Sequence, residues 1–174
     1  MYGVREITPD DADAYWQLRQ QIDGETEFLR FEPDDWLVTT QRLRGRIELM
    51  LATDNQTIFV AEHEGQLIAF LWAGGGLYRQ NHHKVHIILG VRQAFQRQKL
   101  GTRLLITCEE WACAHRLQRL ELSVMTHNFP ALALYHKMGF HIEGTAPYAL
   151  CLDGRYIDLY YMSKALTCHR STLI

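Results

Sequence analysis

The stretch "HIILGVRQAFQRQKLGTRLL", His86 to Leu105, limits what this chain can become more than any other. An apolar run ends at Val91, a polar loop follows, and an aliphatic helical pattern begins near Gly101. A strand that breaks into such a loop and restarts as a helix has the start of a parallel crossover, with "LQRLELSVM" as the returning strand. The start of that helix gathers unpaired backbone N–H groups at its positive end, which is the physical basis of an anion site. Gly101 removes a side chain there, Thr102 adds a hydroxyl and Gln96 an amide. Arg97, Lys99 and Arg103 add positive potential. The loop is neither a Walker loop, lacking GK[ST], nor the dinucleotide GxGxxG. From the residues alone, an ordinary strand-to-helix turn with a solvated basic face is the competing reading.

The flanking chain reads as β-α-α-β-β-β-α-β-α-β-β in one domain. "YGVREIT" is an edge strand, and "TPDDADAYWQLRQQI" is a helix capped by Thr8 or Asp10 with Pro9 in its first turn. A second helical pattern runs from Asp34 to about Leu51. Hairpin turns fall at Glu64-Gly65 and Asp153-Gly154. A short helix starts at Pro130 and stops at Gly139. The domain is expected to span residues 1–166, with 167–174 as a flexible tail.

The 174 residues are enough for a real core, and 47% of them are hydrophobic. A net charge of -2 argues against broad nucleic-acid binding. No apolar run approaches the roughly 20 residues that span a bilayer. With no signal-peptide pattern at the start, a cytoplasmic protein is expected. The four cysteines form no CxxC pair and are expected as free thiols. The nine histidines lack zinc-ligand spacing, so no metal is expected.

Three separated stretches, "REITPDDADAYWQLR", "VRQAFQRQKLGTRLL" and "NFPALALYHKMGFHIEG", resemble in their order the GNAT superfamily of acetyl-CoA-dependent N-acetyltransferases. The resemblance covers roughly residues 3–164. It implies an α/β (α+β) fold with a mixed central sheet of about six to seven strands, splayed at the middle and flanked by about four helices. The family signature is (Arg/Gln)-x-x-Gly-x-(Gly/Ala). Gln96 matches its first position and Gly101 its last, but Lys99 stands where the family has a glycine. If Lys99 keeps a helical backbone and points outward, its N–H still faces the ligand; otherwise the residue weakens the cofactor site. By the resemblance, backbone N–H groups of Gln96, Arg97, Gln98, Lys99, Leu100, Gly101 and Thr102 cradle the pyrophosphate of acetyl-CoA. Gly90 and Val91 meet the pantetheine arm and the acyl oxygen. Asn128 and Tyr135 match family residues beside the cofactor and its sulfur.

Amide formation requires a deprotonated amine, donors for the oxyanion of a tetrahedral intermediate, and a proton for the thiolate. An alkylamine with a pKa of about 10.4 is neutral in only about one part in two thousand at pH 7, a cost of about 4.5 kcal/mol. A general base supplies that deprotonation. His86, on the central strand, and Glu121, on its partner, are the two candidate bases, with an ordered water chain as the third possibility. Tyr135 is the candidate acid, or else a core aromatic. Leu132, Tyr135 and His136 are expected near one helical face.

The acids of "DGETEFLRFEPDD", Glu25 and Glu27 among them, are candidates to draw a cationic amine, or else form a solvated loop. Tyr148, Tyr156 and Asp158 are candidates to line the acceptor pocket. The expected activity is N-acetylation of a small primary amine, an amino acid or polyamine-like acceptor. A protein N-terminal or lysine acetyltransferase and a non-catalytic acyl-CoA-binding module are the alternatives. Late strands of such a fold also allow a homodimer.

Overall fold

The computed structural model describes residues 2–29 and 39–168. In chain order these form β1 (Gly3–Glu6), α1 (Ala12–Glu25), α2 (Thr40–Leu51), β2 (Gln56–His63), β3 (Gln66–Gly75), β4 (Lys84–Val91), α3 (Leu100–Ala114), β5 (Arg119–Met125), α4 (Phe129–Lys137), β6 (His141–Leu152) and β7 (Arg155–Ala165). The strands make one mixed sheet in the order β1-β2-β3-β4-β5-β7-β6. The expected fold class is the one observed. Among the described residues, no helix is long and apolar enough to cross a membrane.

Local chemistry starts and ends the elements. Pro9 opens a short turn before α1, and the Thr8 N–H donates to Asp11 Oδ2 at 2.7 Å. The Thr39 hydroxyl accepts from the Arg42 N–H at 3.3 Å and caps α2. The earlier part of the helix expected from Asp34 lies outside the described residues. Both hairpin turns have two successive residues with positive φ, Glu64-Gly65 at 50° and 77° and Asp153-Gly154 at 48° and 78°. That is the type I′ geometry whose twist suits a two-residue hairpin.

The central pair, β4 and β5, is parallel and joined by α3. It pairs at Lys84–Arg119, Val85–Leu120 and His86–Glu121 only. Beyond those residues β4 stays registered on β3 as far as Val91, and β5 on β7 as far as Met125. Each strand is therefore held by its outer neighbour while the two diverge, leaving a V-shaped gap in the middle of the sheet.

Alternation puts the two halves of each strand into different cores. Val85 and Ile87 pack with Leu104, Leu105 and Cys108 of α3 and Tyr135 of α4. Ile88 packs against the opposite core, which contains Tyr15, Leu18 and Ile22 of α1, Ile47 of α2 and Phe70 of β3. On the α1/α2 side of β5, β7 and β6, Ser123, Glu143 and Tyr161 are exposed.

One expectation is overturned. Cys113, at the end of α3, is disulfide-bonded to Cys168, with a Cα–Cα distance of 5.3 Å; Cys108 and Cys151 are free. A separation of 55 residues gives no sign of this pairing in the sequence. The return of β7 alongside β5 brings the two together, and the Leu166 N–H donates to Gln118 O at 2.9 Å. Thr167 and Cys168 are thereby attached to the body of the molecule.

Candidate active site at the splayed strands

The polar loop leaves β4 through a short turn at Gln93–Phe95 and reaches α3 through two residues with positive φ, Arg97 at 60° and Lys99 at 62°. Lys99 is thus left-handed rather than helical. This explains why a glycine is natural at that position: a Cβ in that conformation costs roughly 1–2 kcal/mol. The first bond of the helix runs from the Arg103 N–H to Lys99 O at 3.0 Å. Among the described residues, the N–H groups of 97–102 pair with no backbone carbonyl. Gln96, Arg97, Gln98 and Lys99 are exposed, whereas Leu100 is buried. The side-chain amides are partly engaged: Gln96 Nε2 donates to Val91 O at 3.4 Å, and Gln98 Nε2 to Ala94 O at 3.3 Å. Gly101 has a packing reason. A Cβ there would lie 2.8 Å from Leu134 Cδ2 and 3.4 Å from Leu89 Cδ2, so the missing side chain lets α3 sit close to α4.

The ladder between β3 and β4 decides which backbone groups face the gap. Lys84 O accepts from Gly76 at 3.2 Å, and the Arg92 N–H donates to Ile68 O at 3.0 Å. Even-numbered residues of β4 therefore point their polar groups at β3, and the alternation turns those of Leu89 and Val91 toward the gap. The expectation for Gly90 is corrected in this respect: its N–H points at β3. Its lack of a side chain has another cause, since a Cβ would meet Phe70 Cε1 at 2.6 Å and Leu29 Cδ1 at 3.1 Å.

Tyr135 and His86 lie on opposite faces of the sheet. Asn128 caps α4, its Oδ1 accepting from the Ala131 N–H at 3.3 Å, and Gly139 at φ 85° ends it. Tyr135 is buried beside Phe140, their ring centroids 5.7 Å apart. Burial holds its phenol pKa well above the ordinary value, so the group stays protonated and able to donate. The expected shared face is only partly present: Leu132 packs on the core, but His136 is exposed. His86 shares the α1-side face with Ile88 and is partly buried. Burial pushes its pKa below the ordinary value; Glu121 opposes the shift and Lys84 adds to it. Glu121 is a poor base. Burial would raise its pKa, but Lys84 Nζ at 2.9 Å and Arg119 Nε at 3.2 Å outweigh that and hold it below the usual carboxylate value.

The acceptor candidates scatter. Glu25 is engaged by Arg92 Nε at 2.7 Å and by the Gln93 N–H at 2.6 Å, tying α1 to the loop after β4. Glu27 lies 3.7 Å from His127 and 3.4 Å from Arg155. Asp158 Oδ1 accepts from the Tyr148 N–H at 2.8 Å, holding a bulge in β6. Tyr148 is exposed and packs edge-on against Tyr156 at 5.4 Å. Glu32, Asp34 and Asp35 lie outside the described residues. Lys84, Arg119 and Glu143, which sequence reasoning missed, join Glu121 in a chain of charges beside His86. The alternation of Lys84 with His86 and of Arg119 with Glu121 was a usable signal. The bulge that brings in Glu143 was not.

Residues 16–140 match the acetyltransferase (GNAT) family, and the chain belongs to that family, whose members are acetyl-CoA-dependent acyltransferases. It is 37% identical over 75 residues to the L-amino acid N-acetyltransferase AaaT of Escherichia coli (strain K12), covering 43% of this chain and 41% of that protein. The chain thus spans about two fifths of the length of that relative. Its fold overlays an acetyltransferase of the GNAT family from Streptococcus pneumoniae with a TM-score of 0.90 and 27% identity, covering 95% of this chain and 99% of that one. It also overlays yncA, a putative acetyltransferase from Salmonella typhimurium with its cofactor acetyl-CoA. There the TM-score is 0.83 and the identity 20%, over 95% of this chain and 94% of that one.

Proposed function

We propose that this chain, through one domain over residues 1–166, moves the acetyl group of acetyl-CoA to the primary amine of a small molecule, an amino acid or polyamine-like acceptor. The observation that carries this reading is the gap between β4 and β5, with Leu89 and Val91 turned into it and the unpaired start of α3 at its mouth. The name of the Escherichia coli relative supports an amine acceptor of amino-acid type. Acetyl-CoA supplies an activated thioester when bound. The N–H groups of 97–102, with the charges of Arg97, Lys99 and Arg103, suit its pyrophosphate. The N–H groups of Leu89 and Val91 suit the pantetheine amides and the developing oxyanion. His86, kept neutral by burial, takes a proton from the amine on the α1 face. Tyr135 gives a proton to the departing sulfur from the other face. His86 and Tyr135 lie on opposite faces of the sheet, so base and acid reach the gap from different sides. Two copies pairing through the β6 edge belong to the same reading.

The test is thiol release from acetyl-CoA against pooled amino acids, polyamines, aminoglycosides and N-terminal peptides. Amine-dependent release is expected. Changing Tyr135→Phe is expected to lower kcat by about 100-fold or more while sparing acetyl-CoA affinity by calorimetry. An unchanged rate removes Tyr135 as the acid. Acetyl-CoA binding without release under any acceptor favours a binding module.

A further inference from the structure

A cavity of about 350 Å³ opens on the uncovered face of the sheet, at the apex of the V. His86 and Glu121, the last paired residues before the strands part, belong to its wall, as do Arg119, Glu143 and Tyr161. The wall is built by two local devices. Arg119 and Glu121 alternate on β5 and so share a face. On β6 the register slips between Ile142 and Gly144, and the extra residue, Glu143, turns its carboxylate onto Arg119.

The charges balance: Lys84 and Arg119 against Glu121 and Glu143. With no net charge, the cluster favours neither a polycation nor a polyanion. A small zwitterion matches such a cluster, because it presents both signs a few ångströms apart. Arg119 also has capacity left. A guanidinium has five N–H donors. Three are engaged, Nε by Glu121 and one on each terminal nitrogen by Glu143, which leaves two. Its side chain is 31% exposed, so those two can be reached from solvent.

We propose that this cavity is the acceptor site and selects a small zwitterionic α-amino acid, with the α-carboxylate on a terminal N–H of Arg119 that Glu143 leaves free and the α-amine between His86 and Glu121. The proposal rests on the acetyl-transfer reading above. In the transfer the amine nitrogen forms a bond to the acetyl carbon as the carbon–sulfur bond breaks. The ammonium gives one proton to His86 before attack, Tyr135 protonates the departing thiolate, and the second nitrogen proton passes through solvent to restore the Tyr135 phenol. Arg119 is a specificity residue that touches the acceptor, not the reacting bond.

The experiment compares kcat/KM for L-amino acids with that for spermidine. For the best amino acid, its amide and its decarboxylated amine are then measured. Loss of the carboxylate is expected to lower kcat/KM by about 10- to 100-fold, as for a hydrogen bond to a charged group. Arg119→Gln, combined with Glu143→Gln to keep the charges balanced, is expected to collapse the amino-acid-over-amine ratio toward one. Arg119→Lys is expected to restore part of it. A wild-type ratio near one, a preference for spermidine, or a double variant that slows every acceptor equally overturns the proposal. Acetyl-CoA binding without amino-acid-dependent thiol release overturns this site while leaving the cofactor reading intact. Absence of acetyl-CoA binding removes both.

Discussion

Lys99 shows how much one side chain can say. It occupies a left-handed position that a glycine takes without strain, and its N–H still belongs to the loop at the head of α3. Lys99→Gly is therefore expected to raise stability by about 1 kcal/mol in denaturant unfolding and to preserve or tighten acetyl-CoA binding. A large loss of affinity would instead make the Lys99 ammonium a phosphate ligand. His86 gives a pH prediction with a definite sign. Its folded pKa lies below its unfolded value of about 6.5, so its contribution to stability is complete above that pH. As pH falls below about 6.5 the unfolded chain binds the proton first, and the contribution is lost as pH passes through the folded pKa. His86→Gln is expected to flatten that part of the stability curve and to remove the acid limb of kcat/KM. An unchanged limb would assign it to another group.

At the scale of elements, α3 packs closely on α4 at Gly101. Gly101 lets Leu134 approach, and Leu134 belongs to the helix that presents Tyr135. Gly101→Leu is expected to destabilise the fold by about 1–3 kcal/mol through overpacking, and Leu134→Ala on top of it to recover part of the loss. Additive effects in thermal unfolding would show that the two side chains do not compete for one space. The strand and helix pattern was legible because each element has its own local signal. Examples are alternation in "HIILGV", the Glu64-Gly65 and Asp153-Gly154 turns, and Gly139 closing α4. The expected role of Gly101 in clearing a phosphate was replaced by a packing role, because the neighbour that needs the space, Leu134, comes from a different helix.

At the scale of the whole molecule, the Cys113–Cys168 bond closes the end of α3 onto the strand that leaves the sheet. Closing a loop of that length stabilises the fold by about 2–4 kcal/mol, chiefly through the unfolded chain. Reductant or Cys113→Ala is expected to lower the melting temperature, and reductant should then have no further effect on the variant. Equal melting with and without reductant would show that the bond adds nothing. The sequence by itself determined the element order, the two turns, the polar loop heading α3 and the tyrosine on α4, because these depend on neighbours a few residues apart. Only the tertiary structure decided which β4 amides face the gap, that Glu25 and Asp158 are engaged elsewhere, and that Lys84, Arg119, Glu121 and Glu143 meet beside His86. Those outcomes depend on strand register and on a bulge, where a shift of one residue changes the face of every side chain and no local pattern records the choice.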